Sequence, residues 1–357
     1  MKRFLAIVLV LILAAAGGAA WLYVRVRQPY QGFTGSEQFV EIPQAAGRRI
    51  IGERLVQGGV IRDWLTFRVA LWLTGEGRRL KAGEYRFDHP MRPAEVIDKL
   101  ARGDVFVIHL TFPEGLTSYE MAKIFESHGL GTAASFVEAA KDVSIVSAID
   151  PDATTLEGYL FPETYAVSRH TDAPKLVRLM VAQFEHAWTP ELRAAAAERH
   201  LTAHQAVTLG SIVEKETAQP TERPAVAAVY QNRLKIGMPL QCDPTVIYAL
   251  ERAGTYDGNI HKADLSIDSP YNTYKYPGLP PGPIASPGRA SLDAAVHPAD
   301  VDYLYFVSRN DGTHVFARTL EEHNRNVQKF QIEYFRAGGA GRAGKAEKAG
   351  GVGGGRR

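Results

Sequence analysis

The chain opens on an unbroken apolar run. After Lys2 and Arg3, residues Phe4 to Val24 carry no charge, and a helix needs ~20 such residues to cross a bilayer core. Trp21, Leu22 and Tyr23 give the run an aromatic end suited to a membrane interface. That ending favours a retained anchor over residues 1–27, although the stretch AAAGGAA offers small residues for signal-peptide cleavage. Lys2 and Arg3 on one side are balanced by Arg25 and Arg27 on the other, so charge leaves the orientation open. On either reading the remainder is an exported body.

Beyond a short linker at 28–36, the pattern changes from continuous to periodic. EQFVEIP alternates weakly, as a strand does. Ile50, Ile51, Leu55 and Val56 form a helical stripe ended by Gly58 and Gly59. DWLTFRVALWL predicts a second helix, LKAGEYRFDHPM a strand closed by a Pro turn, RPAEVIDKLARGD a short helix, and VFVIHLTF a strong strand. Residues 28–111 therefore read as the linker and a small α+β module that binds or positions rather than catalyses.

A second region runs from 112 to 335. Thr117 with Glu120 has capping-box spacing, and Gly129 ends the helix that follows. Leu176, Leu179, Met180, Phe184 and Ala187 share one face of a further helix. RPAVAAVYQNRLKIG predicts another. Residues 238–317 are rich in Pro, Gly, Tyr and Asn and predict loops and short strands, with YLYFVSR and HVFAR a hairpin across NDGT. Thr319 caps a final helix. Residues 336–357 are mostly Gly, Ala, Arg and Lys, and read as a disordered basic tail. There is no internal repeat.

Composition narrows the function. A chain of 357 residues, 45% hydrophobic, can bury a substantial core in one large or two medium domains. A net charge of +2 gives no field for nucleic acid. Cys242 is the single cysteine, so no intramolecular disulfide forms, and no metal-type Cys/His spacing is present.

The candidate chemistry lies in LGSIVEKETAQPT. Its helix should end before Pro220. Glu214 and Glu216 are two positions apart, so they point about 200° apart. Glu216 continues the stripe Leu209, Ile212 and Val213; Glu214 continues the smaller, more polar Val207, Gly210 and Ser211. An apolar wall and the negative end of the helix dipole would both favour a neutral, proton-donating Glu216. From periodicity alone, a solvated Glu pair is the commoner arrangement. Downstream, Asn232, Gln241, Asp243, Thr245, Tyr271, Asn272, Thr273 and Tyr274 supply amide, hydroxyl and aromatic groups with little net charge. Each alone is more often packing or loop chemistry. As a cluster after a candidate acid they suggest an oligosaccharide cleft, with Glu214 a further candidate to line that cleft or to support the helix of Glu216.

The segments SIVEKETA, NRLKIGMPLQCDPTVIY, YNTYKYPGLPPGPIASPG and HPADVDYLYFV, with LKAGEYRF and EGYLFPETY upstream, closely resemble the endolytic murein transglycosylase (YceG-like) family. The resemblance spans the anchor to the final helix; the basic tail lies outside it. It implies an α+β protein with three parts: an N-terminal transmembrane helix, a small LysM-like subdomain, and a mixed α/β catalytic domain with a lysozyme-like glutamate helix. It implies a single pass of the inner membrane with the body in the periplasm. The substrate implied is the peptidoglycan glycan strand, with no cofactor or metal, and the wall-synthesis machinery enters as a partner by analogy. Glu216 matches the family's catalytic glutamate. Cys242 departs from an expected small polar residue. The expected reaction is cleavage of the β-1,4 bond from N-acetylmuramic acid to N-acetylglucosamine, leaving a 1,6-anhydro end and terminating new strands. Two rivals stand beside it: a hydrolase using Glu216 and Asp243, and a non-catalytic wall-binding scaffold.

Overall fold

The computed structural model describes residues 2–334 and 336; the rest of the tail expected at 336–357 lies outside the described residues. The chain is mixed α+β and divides into two compact units, 1–109 with 166–169 and 110–165 with 170–357.

In the first unit, helix α1 (Lys2–Arg27) is long and apolar enough over Arg3–Arg27 to cross a membrane. Its C-terminal end is built into the unit. Val26 is buried in the core and Leu22 packs against it, while Arg25 pairs with Asp63 at 2.7 Å. Strands β1 (Gln38–Ile42) and β2 (Gly83–Phe87) are antiparallel, in register from Gln38 opposite Phe87 to Ile42 opposite Gly83. Helices α2 (Arg48–Gln57) and α3 (Trp64–Thr74) lie between them in sequence, and α4 (Pro93–Arg102) follows. Period-two alternation turns Val40, Ile42, Tyr85 and Phe87 inward onto Leu55, Phe67, Val96, Ile97 and Leu100. Each such side chain contributes about 1.5–3 kcal/mol by leaving water. The segment expected as a linker is tied down: Tyr30 bonds Met91 through both backbone groups, and the Gly32 amide donates to Gly59 at 2.7 Å.

Strand β3 covers only Ile108–Thr111 of the expected strong strand and pairs with β4 (Thr164–Val167). Upstream, Phe106 instead donates one backbone hydrogen bond to Glu84 at 2.6 Å and sets its ring edge-on to Phe39.

The second unit is mainly helical. Helices α5 (Ser118–Ser127) and α6 (Ala133–Ala139) come first, then α7 (Ala173–Ala187), α8 (Pro190–Glu198), α9 (Ala203–Glu216) and α10 (Arg223–Lys235). On α7 the buried stripe includes Val177 and Val181, whereas Leu179, expected inward, is 42% exposed because it lies one step off the line through Leu176, Met180, Phe184 and Ala187. The region expected as loops and short strands holds two more helices, α11 (Asp243–Ala253) and α12 (Arg289–Val296). The expected hairpin is present as β5 (Tyr305–Ser308) and β6 (His314–Ala317), and α13 (Leu320–Val327) is capped by Thr319. Helix α9 is the axis of this unit, packed by α10, α11 and α12. Gly210 permits the α12 contact, since a Cβ there would sit 3.3 Å from Leu292.

Candidate active site

Helix α9 starts at a capping box formed by Thr202 and Gln205 and is buried continuously from Ala206 to Val213. Its last turn therefore emerges from the core, and both glutamates begin inside the protein. Thr217, extended and buried, ends the helix.

The two carboxylates have different partners. Glu214, its side chain 6% exposed, is fully engaged. Oε1 accepts from Arg223 at 2.9 Å and Oε2 from the Gly288 amide at 2.9 Å. Arg223 is itself buried and reaches Glu114 at 3.5 Å. The Glu114 carboxylate lies against Gly288, so a Cβ at 288 would displace the end of that side chain.

Glu216 is half-buried and engaged on one oxygen. Oε1 accepts from the Tyr230 hydroxyl at 2.5 Å and from the Cys242 thiol at 3.0 Å. Among the described residues, Oε2 accepts no hydrogen bond. Burial raises the Glu216 pKa; the bonds from Tyr230 and Cys242 pull it down, the Asp243 charge pushes it up, and His314 lowers it, with a net rise. Burial first, then neighbouring negative charge, also pushes Tyr230 and Cys242 well above their ordinary values. Both therefore keep their protons and act as donors to Oε1. Two donors on Oε1 leave Oε2 as the atom that carries the proton of the neutral acid.

The turn after Glu216 is fixed by a second network. Glu222 accepts from the His314 amide at 2.8 Å, from His314 Nδ1 at 2.7 Å and from Thr217 Oγ1 at 3.2 Å. Burial alone would raise Glu222; the His314 amide and ring outweigh it and hold the carboxyl below its ordinary range.

Residues 40–329 match the YceG-like family. The chain belongs to the YceG-like family. A Bacillus subtilis (strain 168) protein named endolytic murein transglycosylase is 31% identical over 330 residues, which cover 88% of this chain and 90% of that one. A protein of the same name from Streptococcus pneumoniae serotype 2 (strain D39) is 31% identical over 320 residues, 81% of this chain and 57% of that longer one. The crystal structure of a YceG-like protein from Listeria monocytogenes superposes with a TM-score of 0.56 at 32% identity, covering 82% of this chain and 99% of that one.

The remaining candidate residues of this YceG-like chain fall into two groups. Around Cys242, Gln241 adopts a left-handed φ of 47° and its amide donates to Thr273 at 3.2 Å. The Cys242 amide donates to Thr273 Oγ1 at 3.0 Å, and Thr245 Oγ1 contacts both Thr273 and the Cys242 carbonyl. Asp243, exposed at the start of α11, accepts from Tyr274 at 2.5 Å. The other group stands apart. Asn232 gives its amide to the Val301 and Tyr303 carbonyls, on the face of α10 away from Tyr230. A cavity of about 650 Å³ on that face is lined by Asn232 but not by Glu216. Asn272 is buried and clamps its own loop through Leu265 and Ile267. Tyr271 packs against Tyr248 with ring centroids 4.9 Å apart and the rings tilted by 58°, beside Arg252.

Sequence reasoning missed Tyr230, His314 and Glu222 as parts of the site. Tyr230 was visible only as an apolar position of an amphipathic helix, and no local pattern marks which tyrosine meets an acid 14 residues away.

Proposed function

We propose that the chain is an endolytic lytic transglycosylase of peptidoglycan in which Glu216 is first the acid and then the base. The observation that carries this reading is the divided carboxyl, with Oε1 held by two donors and Oε2 left to meet substrate. The Oε2 proton passes to the glycosidic oxygen between N-acetylmuramic acid and N-acetylglucosamine. The bond from C1 to that oxygen breaks, and the N-acetyl group of the muramic acid stabilises the developing cation. The ionised Glu216 then takes the proton of the same sugar's 6-hydroxyl, whose oxygen closes on C1. A 1,6-anhydro end forms, no water is consumed, and Glu216 is returned to its acid form. The tethered nucleophile avoids the entropy cost of recruiting water. The raised Glu216 pKa supports the acid role.

Gln241, Asp243 and Tyr271, with Tyr274, are assigned to line the glycan path. Thr245, Asn272 and Thr273 build the wall behind it, Asn232 braces α10, and Glu214 braces α9. The order β1, α2, α3, β2 supports a LysM-like reading of the first unit. The apolar helix α1 supports single-pass anchoring; a body in the periplasm, acting on nascent strands near the bilayer, is what the family reading adds.

A hydrolase remains the second reading, because exposed Asp243 acts electrostatically on Glu216. Mass spectrometry of glycan-strand products from the full chain separates the two. Fragments one water lighter than hydrolysis products, absent with Glu216→Gln, support the transglycosylase. Reducing-end fragments would replace it with the hydrolase.

A further inference from the structure

Helix α3 buries only one side. Thr66, Phe67, Ala70 and Leu71 face the core, whereas Trp72 is 79% and Leu73 59% exposed, and Leu65 and Trp64 are exposed as well. Trp64, Arg68 and Trp72 follow one another at four-residue spacing, so they form a single stripe along the helix. Exposed tryptophans in a row are uncommon on a surface that meets only water.

Two further observations say what this face meets. The first is continuity with α1. Tyr23 and Val26 of α1 line one groove together with Val69 and Leu73 of α3, and Arg25 is paired to Asp63, the residue that caps α3. The end of α1 carries the same chemistry, with Arg25 over the Trp21 ring at 4.5 Å and Arg27 over Tyr23 at 4.4 Å. The second is charge. On its other flank α3 borders a groove of about 760 Å³ lined by Arg48, Arg49, Arg68, Arg78, Trp64 and Trp72. Arg49 pairs with Glu53 and Arg48 donates to the Gly77 carbonyl. Among the described residues, Arg68 and Arg78 make no ion pair.

We infer that α3 is an interfacial helix that lies in the surface of the membrane crossed by α1. Trp64, Trp72, Leu65 and Leu73 enter the headgroup and upper acyl region, and the arginine groove takes the phosphate of an anionic phospholipid. Tryptophan rings prefer that level of a bilayer, an amphipathic helix binds it through its apolar face, and arginine forms bidentate contacts with phosphate. The inference rests on the membrane reading of α1. Its consequence is that the first unit is held against the bilayer at two points, α1 and α3, instead of swinging on one.

The test uses the full chain in lipid nanodiscs with bromines placed high on the acyl chains. The Trp72 signal is the fluorescence lost on Trp72→Phe, and the Trp21 signal that lost on Trp21→Phe. The inference predicts that bromine quenches both signals. It also predicts that Arg68→Glu with Arg78→Glu removes most of the Trp72 quenching and leaves that of Trp21. Quenching of Trp72 should be stronger with phosphatidylglycerol than with phosphatidylcholine alone. Trp21 quenched and Trp72 unquenched would overturn the interfacial helix while keeping the anchor. Neither quenched would overturn both. Equal Trp72 quenching in the two lipids, unmoved by charge reversal, would overturn the phosphate groove.

Discussion

The two sides of the last turn of α9 hold the same functional group and use it differently. On one side Glu214 spends both oxygens on Arg223 and the Gly288 amide. On the other, Glu216 spends one on Tyr230 and Cys242. A carboxylate with one oxygen on a buried guanidinium and the other on a backbone amide is fixed in place and has no free oxygen to offer, so it braces. A carboxyl held at one oxygen, in a place that favours its neutral form, can deliver a proton in a defined direction. The difference is set by partners from other elements, since the backbone that presents the two residues is one helix.

The sharpest way to break this comparison is at Glu216. Glu216→Gln keeps the shape and the Oε1-side acceptor but removes the proton, and should lower strand cleavage on the order of 10³-fold, the scale of a lost general acid. Thermal unfolding should be nearly unchanged, and a large loss of stability would place Glu216 with Glu214 as a brace.

The opposite change comes next. Arg223→Ala leaves Glu214 as a buried, unpaired charge and should cost about 3–5 kcal/mol, read in chemical unfolding. Activity per folded molecule should change far less. Retained stability would mean the pair does not hold α9.

A third buried acid gives a pH test. Glu157 accepts from the Ser118 amide at 3.1 Å and hydroxyl at 2.9 Å and from Tyr248 at 3.3 Å, and burial raises its pKa from 4.5 to about 7. The folded state thus holds this proton more tightly than the unfolded chain. The stabilisation is complete below about pH 4.5 and is lost as pH climbs toward 7, by about 3 kcal/mol at most. Glu157→Gln should flatten the stability profile across that window; an unchanged slope would show that Glu157 is not its source.

The smallest effect sharpens the account. Tyr230→Phe removes a donor that favours ionised Glu216. The Glu216 pKa should rise, moving the alkaline limb of the pH–rate profile up by about one unit. Cys242→Ala should move it in the same direction by less, and Cys242→Ser should restore the donor. A limb that moves down in Tyr230→Phe contradicts the donor assignment.

Much of the fold was legible because it is local. The cap at Thr117, the hairpin across NDGT and the apolar run of α1 each rest on a few adjacent residues. Helices α11 and α12 were missed because the prolines and glycines of the surrounding region 238–317 suggested loops throughout. Pro244 sits instead in the first turn of α11, where a missing amide costs nothing, and Gly254 ends that helix at a φ of 69°. The site was legible only in outline. Periodicity set Glu216 against an apolar wall and Glu214 against a polar one, but α9 is buried all round before they emerge. What separates them is the set of donors brought from α10, the segment before α11 and Gly288 at the start of α12, which no spacing within LGSIVEKETAQPT encodes.

The most direct test is a crossed measurement on Glu216→Gln and Glu214→Gln in the full chain, reading anhydro-ended fragments by mass spectrometry and folded fraction by thermal unfolding. The account predicts a folded, inactive Glu216→Gln and a less stable Glu214→Gln that still cleaves when folded. Anhydro products from Glu216→Gln, together with their loss in a stably folded Glu214→Gln, would contradict it.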